Sequence, residues 1–414
     1  MSEYSWKYEK THPWIKFSIN LRDVPPKLWL ALGEARSKLE HLSGVPLQPY
    51  IAERLHEVAL ARGALATTAI EGNTLSEAEA LAVIQKKSVL PKSQEYLAEE
   101  INNIVNATDV VFSKIEKDGH TPITVEEIKQ YNAMVLKGLS VEEHVISGQF
   151  TKTDIGVAGY KAAPWQEAEY LVSELCKWLN GSQFVSGDDD ELVTGILKSI
   201  IAHIYLVWIH PFGDGNGRTA RLLEVRFLTE AGAPSVAVHL LSNHYNKTRT
   251  EYYRRLAESS KNGGDITGFL TYAVQGFVDQ LRAELKIVKQ QQWNVSWRNY
   301  VHESFKGKES VSDRRQCRLV LALSARGEIV PRNELRHLTP QTAEDYANKT
   351  LKTLTRDVND LVEMGLISST KAGVRASNEQ ILAFLPRLKK GGLQAQILEA
   401  LRLSKEDEQL GFDF

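Results

Sequence analysis

The segment from His210 to Arg221 reads His-Pro-Phe-Gly-Asp-Gly-Asn-Gly-Arg-Thr-Ala-Arg, placing a proton acceptor, a carboxylate, three glycines, an amide and two guanidinium groups within twelve residues. Pro211 cannot extend the helix before it, because its ring removes a hydrogen-bond donor and clashes with the preceding turn. Gly213, Gly215 and Gly217 permit positive φ angles and close backbone approach, so successive N–H groups can converge on one point. A helix starting directly downstream adds its unpaired N–H groups and the positive end of its dipole there. A phosphate fits that point. Arg218 and Arg221, three residues apart, share a helix face and offer two guanidinium forks to neighbouring phosphates. Asp214 is out of place as a phosphate contact but suits a phosphate-bound Mg2+ ion. His210, at the entrance, is the natural proton acceptor near neutral pH.

The elements around this segment must be helical. Gly195 to Ile209 is strongly apolar, interrupted by Lys198 and His203, and falls short of the roughly 20 residues a bilayer requires, so it reads as a buried helix with His203 in the core. A second helix is expected at 217–231. Upstream, helices are expected from about Lys27, over Pro49 to Ile70, from Ser76 with a Ser-x-x-Glu capping box, at 92–117 and over Thr124 to Lys137. The helix ending at Ile70 stops at Glu71-Gly72-Asn73, with Gly72 suited to a left-handed cap. Residues 145–163, rich in glycine with alternating Ile155 and Val157, are expected as a short β-hairpin. Helices resume at 165–180 and 190–209, and from about 246 to 290.

The 414 residues carry a net charge of −2, with 43% hydrophobic and 25% charged positions, so the chain is neither disordered nor a polycation that coats nucleic acid or membrane. Two thiols, Cys176 and Cys317, point to a reducing compartment, and the N-terminus has no apolar signal run, so a cytoplasmic location is expected. The expected domains are an N-terminal helical region at 1–115, a catalytic core at 116–285, a connector at 286–312, a winged helix-turn-helix at 313–390 and a solvated acidic tail at 391–414. The winged unit is read from helices at Asp313–Ala325, Pro331–Leu338 and Ala347–Met364 followed by a strand pair in GLISSTKAGVRASN. Between 310 and 390 there are 14 Lys or Arg against 9 Asp or Glu, a local +5 that suits either a duplex or a protein partner.

HPFGDGNGRTAR closely resembles the His-Pro-Phe-x-Asp/Glu-Gly-Asn-Gly/Lys-Arg-x-x-Arg motif of Fic proteins, and the resemblance extends from the N-terminal helices to about residue 285, with a winged-helix tail as a frequent companion. It implies a mainly α fold: a Fic-type helical bundle with a β-hairpin flap, followed by the winged helix-turn-helix. It also implies transfer of AMP from ATP to a Tyr, Thr or Ser hydroxyl of a target protein, with pyrophosphate leaving, and modification of the chain itself.

In that reading His210 deprotonates the hydroxyl and Asp214 holds Mg2+ between the α- and β-phosphates. Asn216 and the backbone of Gly215 and Gly217 hold α-phosphate oxygens, and Arg218 and Arg221 steady the β- and γ-phosphates. Phe212 points into the core. For the adenine, relatives use aromatics on the following helix, for which Tyr245 and Tyr253 are the candidates. Many relatives carry Arg just after the aromatic residue of the flap, where this chain has Phe150-Thr151-Lys152.

Thr67 to Gly72 also resembles the family's inhibitory Ser/Thr-x-x-x-Glu-Gly/Asn motif, with Thr67 and Glu71 one helical turn apart. This implies that Glu71 pairs with Arg221 and blocks the γ-phosphate position. Two alternatives are removal of AMP using Glu71, and a DNA-binding regulator whose Fic domain senses nucleotide. The winged unit is expected to contact DNA or protein, a homodimer is among the expected states, and no membrane partner is expected.

Overall fold

The computed structural model describes residues 6–22, 24–87, 90–157, 160–184 and 191–382; the acidic tail at 391–414 lies outside them. Helices dominate, in two compact units that divide between Leu285 and Lys286.

The first unit contains α1 (Lys7–Thr11), α2 (Pro26–Ser43), α3 (Pro49–Ala69), α4 (Glu77–Ile84), α5 (Glu95–Asp118), α6 (Val125–Val135), α7 (Ala168–Leu179), α8 (Glu191–Ile209), α9 (Asn216–Glu230), α10 (Leu240–Lys247) and α11 (Arg249–Lys261). The helix α12 (Thr267–Ser304) begins here and runs past the division, so much of the expected connector at 286–312 is regular helix.

At the centre lie α8 and α9, joined by the loop at 210–215. Apolar on nearly every side, α8 has no face to give to water, and Ile196, Ile200, Ile201, Ile204, Leu206 and Ile209 are fully buried. Among the described residues it alone is long and apolar enough to cross a membrane, and most of it is buried within this unit. The helix α9 packs against α8, α5, α6 and α3. At the head of α4, Ser76 Oγ accepts from the Glu79 N–H and the Glu79 carboxylate accepts from the Ser76 N–H, so the expected capping box forms.

The expected hairpin at 145–163 is much shorter: β1 (Gly156–Val157) pairs antiparallel with β2 (Tyr160–Lys161). Before it, Phe150 makes an isolated bridge to Phe212, and the Thr151 N–H donates to the Pro211 carbonyl at 2.9 Å. These residues spend their backbone groups on the 210–215 loop instead of on a long ladder. Tyr160 Oη donates to the Trp208 carbonyl at 2.8 Å, tying β2 to the end of α8.

The second unit contains α13 (Val311–Arg326), α14 (Pro340–Tyr346), α15 (Leu351–Glu363), β3 (Ile367–Ser369) and β4 (Val374–Ala376), the strands pairing antiparallel. The short helix expected at Pro331–Leu338 is only a 3-10 turn at Leu335–His337, and a helix not foreseen starts at Pro340. Pro340 favours that start: a proline at the first helical position gives up an N–H that has no partner anyway, and Thr339 caps the turn by accepting from the Thr342 N–H. Leu319, Leu323, Leu335, Val358, Leu361 and Leu366 form the core of this unit. Arg315 donates twice to the buried Asp357, at 2.8 and 3.0 Å, and Tyr346 Oη donates to the same carboxylate at 2.8 Å.

Candidate active site

The helix α8 ends at His210, whose φ of +50° turns the chain out of the helix ahead of Pro211. Phe212 is fully buried, its ring 5.2 Å from that of Phe150, an anchor of the kind that contributes about 1.5–3 kcal/mol for a side chain removed from water. Asn216 then clasps the loop. Its Oδ1 accepts from the Phe212 N–H at 2.9 Å and its Nδ2 donates to the Phe212 carbonyl at 2.7 Å. The Asn216 amide, expected on a phosphate, thus holds the loop's own backbone.

Of the three glycines only Gly215 takes a positive φ, +77°, as the left-handed residue that starts α9. Gly217 answers a different demand. A Cβ built there would lie 2.3 Å from Glu71 Oε1 and 3.1 Å from Arg221 Nη1, so the Glu71 carboxylate rests against the first turn of α9, where a side chain would otherwise be. Gly213 is likewise a close approach, against Val145.

Glu71 arrives from the end of α3. That end closes as a Schellman motif: the Asn73 N–H donates to the Thr68 carbonyl at 3.1 Å, the Gly72 N–H to Ala69 at 3.0 Å, and Gly72 has a φ of +115°. Arg221 Nη2 donates to Glu71 Oε1 at 2.5 Å and to the Thr67 carbonyl at 2.9 Å. The Arg221 side chain is 1% exposed and that of Glu71 34%. Burial works against ionising Glu71, but Arg221, with Arg218 and His210 adding, outweighs it and holds the carboxyl below its ordinary pKa. Burial likewise opposes the Arg221 charge, and Glu71 reverses the effect, so its pKa lies above the ordinary value.

Arg218 is almost as deeply buried. Its Nη2 donates to Asp214 Oδ1 at 3.1 Å and its Nη1 to Glu100 Oε1, on α5, at 3.4 Å. The Asp214 carboxylate is 47% exposed, and its Oδ1 also accepts from the Gly215 N–H at 2.5 Å. No group of three or more His, Cys, Asp or Glu able to hold a metal ion occurs among the described residues.

His210 has one ring nitrogen, Nδ1, 3.3 Å from the Val207 carbonyl, which fixes the N–H on that side and leaves Nε2 with a free lone pair. Burial pushes the imidazole below its ordinary pKa, against the Val207 bond and the Glu71 and Asp214 charges, so the ring is neutral at pH 7.

The aromatic candidates separate. Tyr245 is fully buried in the core, its Oη donating to Glu224 at 3.0 Å, where no nucleotide base can reach it. An aromatic on a helix face that packs inward has that fate, and the residue-level pattern could not tell the two faces apart. Tyr253 is 38% exposed, lies under the Arg249 guanidinium at 5.9 Å, and donates to the Ile70 carbonyl at 3.4 Å, next to the turn that carries Glu71. His203, as expected, lies in the core, between Tyr252 Oη at 2.9 Å and Glu224 at 3.1 Å.

Three site residues escaped sequence reasoning. Glu100 faces Arg218, and Asn73 donates to both the Leu97 carbonyl and Glu100. Asn132, on α6, donates to the Asp214 carbonyl at 2.9 Å and accepts from the Gly148 N–H at 3.0 Å. The signal for Asn132 was available: an amide on the apolar face of an amphipathic helix is buried, and a buried amide needs partners.

The sequence model of the Fic/DOC family matches residues 122–228, which include the whole 210–221 segment. The chain is 29% identical over 230 residues to the protein adenylyltransferase fic-1 of Caenorhabditis briggsae, covering 55% of this chain and 42% of that protein. It is 27% identical over 244 residues to the protein adenylyltransferase Fic of Nematostella vectensis, covering 59% and 53%. The chain thus spans about half the length of the curated relatives it matches. A Fic family protein from Desulfovibrio desulfuricans G20 superposes with a TM-score of 0.53 at 20% identity, over 91% of this chain and 99% of that one, which is a likeness of fold. The likeness to the Fic/DOC family lies in residues 122–228.

Proposed function

We propose that this chain is a protein adenylyltransferase that moves AMP from ATP to a Tyr, Thr or Ser hydroxyl of a target protein, or of itself. The observation that carries the reading is the convergence at the α8–α9 turn of a neutral histidine with a free Nε2, the start of α9, and two buried arginines. His210 Nε2 takes the proton of the incoming hydroxyl. The oxygen then forms a bond to the α-phosphorus as the bond to the β-phosphate oxygen breaks, and pyrophosphate carries away the electron pair. The N–H groups at the start of α9 face the charge on the α-phosphate, and Arg218 and Arg221 bind the leaving phosphates. Positioning and charge stabilisation account for catalysis of this type.

A lone exposed carboxylate suits Mg2+ brought in by the nucleotide, because that ion is held by one or two carboxylates together with substrate phosphates. Asp214 would hold it, and the ion would supply charge neutralisation to the phosphates. Tyr253 is the aromatic left for the adenine.

In the same reading Glu71 is an internal brake. It occupies the Arg221 fork and the space over Gly217, so a triphosphate cannot seat fully while the pair is closed. The hairpin at 156–161, tied to the site at Phe150 and Thr151, serves as the flap for the target's backbone. We also read the second unit as a winged helix-turn-helix, from the order α13, α14, α15, β3, β4, and the chain as cytoplasmic.

The test is incubation with α-labelled ATP and Mg2+, comparing the parent chain with His210→Ala, Glu71→Gly and the double variant. Label that depends on His210 and rises in Glu71→Gly supports the reading. Label that persists without His210, or none in any variant, overturns it. Specific duplex binding without labelling would favour the DNA-binding regulator.

A further inference from the structure

Glu100 lies on α5, outside both the 210–221 segment and the α3 turn, yet it is the second acid facing a phosphate-binding arginine. Its Oε1 accepts from Arg218 Nη1 at 3.4 Å and its Oε2 from Asn73 Nδ2 at 2.9 Å. Asn73 is firmly held: its Nδ2 also donates to the Leu97 carbonyl at 3.0 Å, and its Oδ1 accepts from the Leu75 N–H at 3.1 Å. Its own N–H closes the α3 turn on Thr68. The turn that presents Glu71 to Arg221 therefore presents, through Asn73, a second carboxylate to Arg218.

We propose that Glu100 is a second inhibitory carboxylate, competing with nucleotide phosphate for Arg218 as Glu71 competes for Arg221, with Asn73 linking the two. The inference rests on the adenylyltransferase reading in taking nucleotide phosphate as the competitor. The Arg218 side chain is 6% exposed and that of Glu100 16%, so little water stands between them to screen charge. Phosphate oxygens that reach Arg218 come close to Glu100, and like charges at such range in a poorly hydrated site repel strongly. Burial, with Asp214 and Glu71 adding, raises the Glu100 pKa against the opposing pull of Asn73 and Arg218. At 3.4 Å the Arg218 contact is weaker than the 2.5 Å Glu71 contact, so Glu100 is the smaller brake.

The experiment is calorimetry of Mg2+-ATP binding in the full chain, with His210→Ala throughout to prevent turnover, comparing Glu71→Gly, Glu100→Gln and both together. Glu100→Gln keeps the shape and the Asn73 partner. It is expected to tighten binding about fivefold with Glu71 present and by a further factor in its absence. With His210 restored, KM for ATP falls while kcat stays level, a split that a structural prop would not produce. Glu100→Asp, whose carboxylate is drawn back from Arg218, gives a smaller tightening and serves if Glu100→Gln does not fold. Unchanged or weaker binding in both Glu100 variants, where Glu71→Gly binds, overturns this inference alone. No binding in any variant overturns it together with the adenylyltransferase reading.

Discussion

Replacing Glu71 by glycine should turn the resting chain into a nucleotide-binding one. The carboxylate makes a 2.5 Å contact to an arginine that is 1% exposed, and removing one partner of a fully buried ion pair costs about 3–5 kcal/mol. Glu71 itself is 34% exposed, so solvent screens part of the attraction, and about 1–3 kcal/mol is the appropriate range. If Arg221 must be free to take the γ-phosphate, this converts to roughly 5- to 150-fold tighter binding of ATP.

The same change should lower thermal stability, because Arg221 keeps only the Thr67 carbonyl as a partner, and added nucleotide should restore it. Affinity and stability thus move in opposite directions, which general loosening of the fold does not predict. Calorimetry and melting curves on the parent, Glu71→Gly and Glu71→Gln measure both. Glu71→Gln should fall between, since it keeps the bulk and loses the charge. Nucleotide binding by Glu71→Gly no tighter than by the parent would refute the argument.

Other outcomes follow from the same structure. Because burial holds His210 below the ordinary imidazole pKa, the rate of labelling by Glu71→Gly should fall toward low pH with a midpoint below about 6.5, as Nε2 becomes protonated; a midpoint above that pH would contradict the assignment of the base. His239 is fully buried with neither ring nitrogen hydrogen-bonded, and burial lowers its pKa to about 4. The unfolded chain therefore binds a proton there that the folded one refuses, so the His239 contribution is complete above about 6.5 and is lost as pH falls toward 4. It amounts to roughly 3 kcal/mol, and denaturant titrations should show His239→Leu flattening that slope. In the second unit, Arg315→Ala leaves Asp357 buried beside Tyr346 without its cation and should destabilise that unit by about 3–5 kcal/mol, measured by denaturant unfolding monitored at Trp297.

The mainly helical architecture was legible because local signals decide it. The all-round apolar run before Pro211 had to be a buried helix that stops there, and Ser76 with Glu79 had to cap α4. The turn at 210–215 was legible for the same reason. What escaped depends on pairs far apart in the chain. Glu100 and Arg218 are 118 residues apart, and Asn132 and Asp214 are 82. Tyr245 and Tyr253 occupy similar helical text, and only tertiary packing, of Tyr245 against His203, Tyr252 and Phe269 with its Oη on Glu224, sends one inward. Asn216 was assigned to a ligand because the sequence does not reveal that the Phe212 backbone claims its amide. The helix at Pro340 is too short, at seven residues, to show a periodic apolar pattern in the sequence.

Gly217 leaves a gap one methyl wide over the first turn of α9, and the resting chain already fills it with one of its own carboxylates. On the adenylyltransferase reading, that gap has two tenants that exclude each other, and enlarging residue 217 would evict both. Sensitivity to nucleotide therefore cannot be adjusted from the loop side without damage to the loop's own task. On that reading it is set from outside the loop, at Arg221 by how firmly the α3 turn at Gly72 and Asn73 aims its acid.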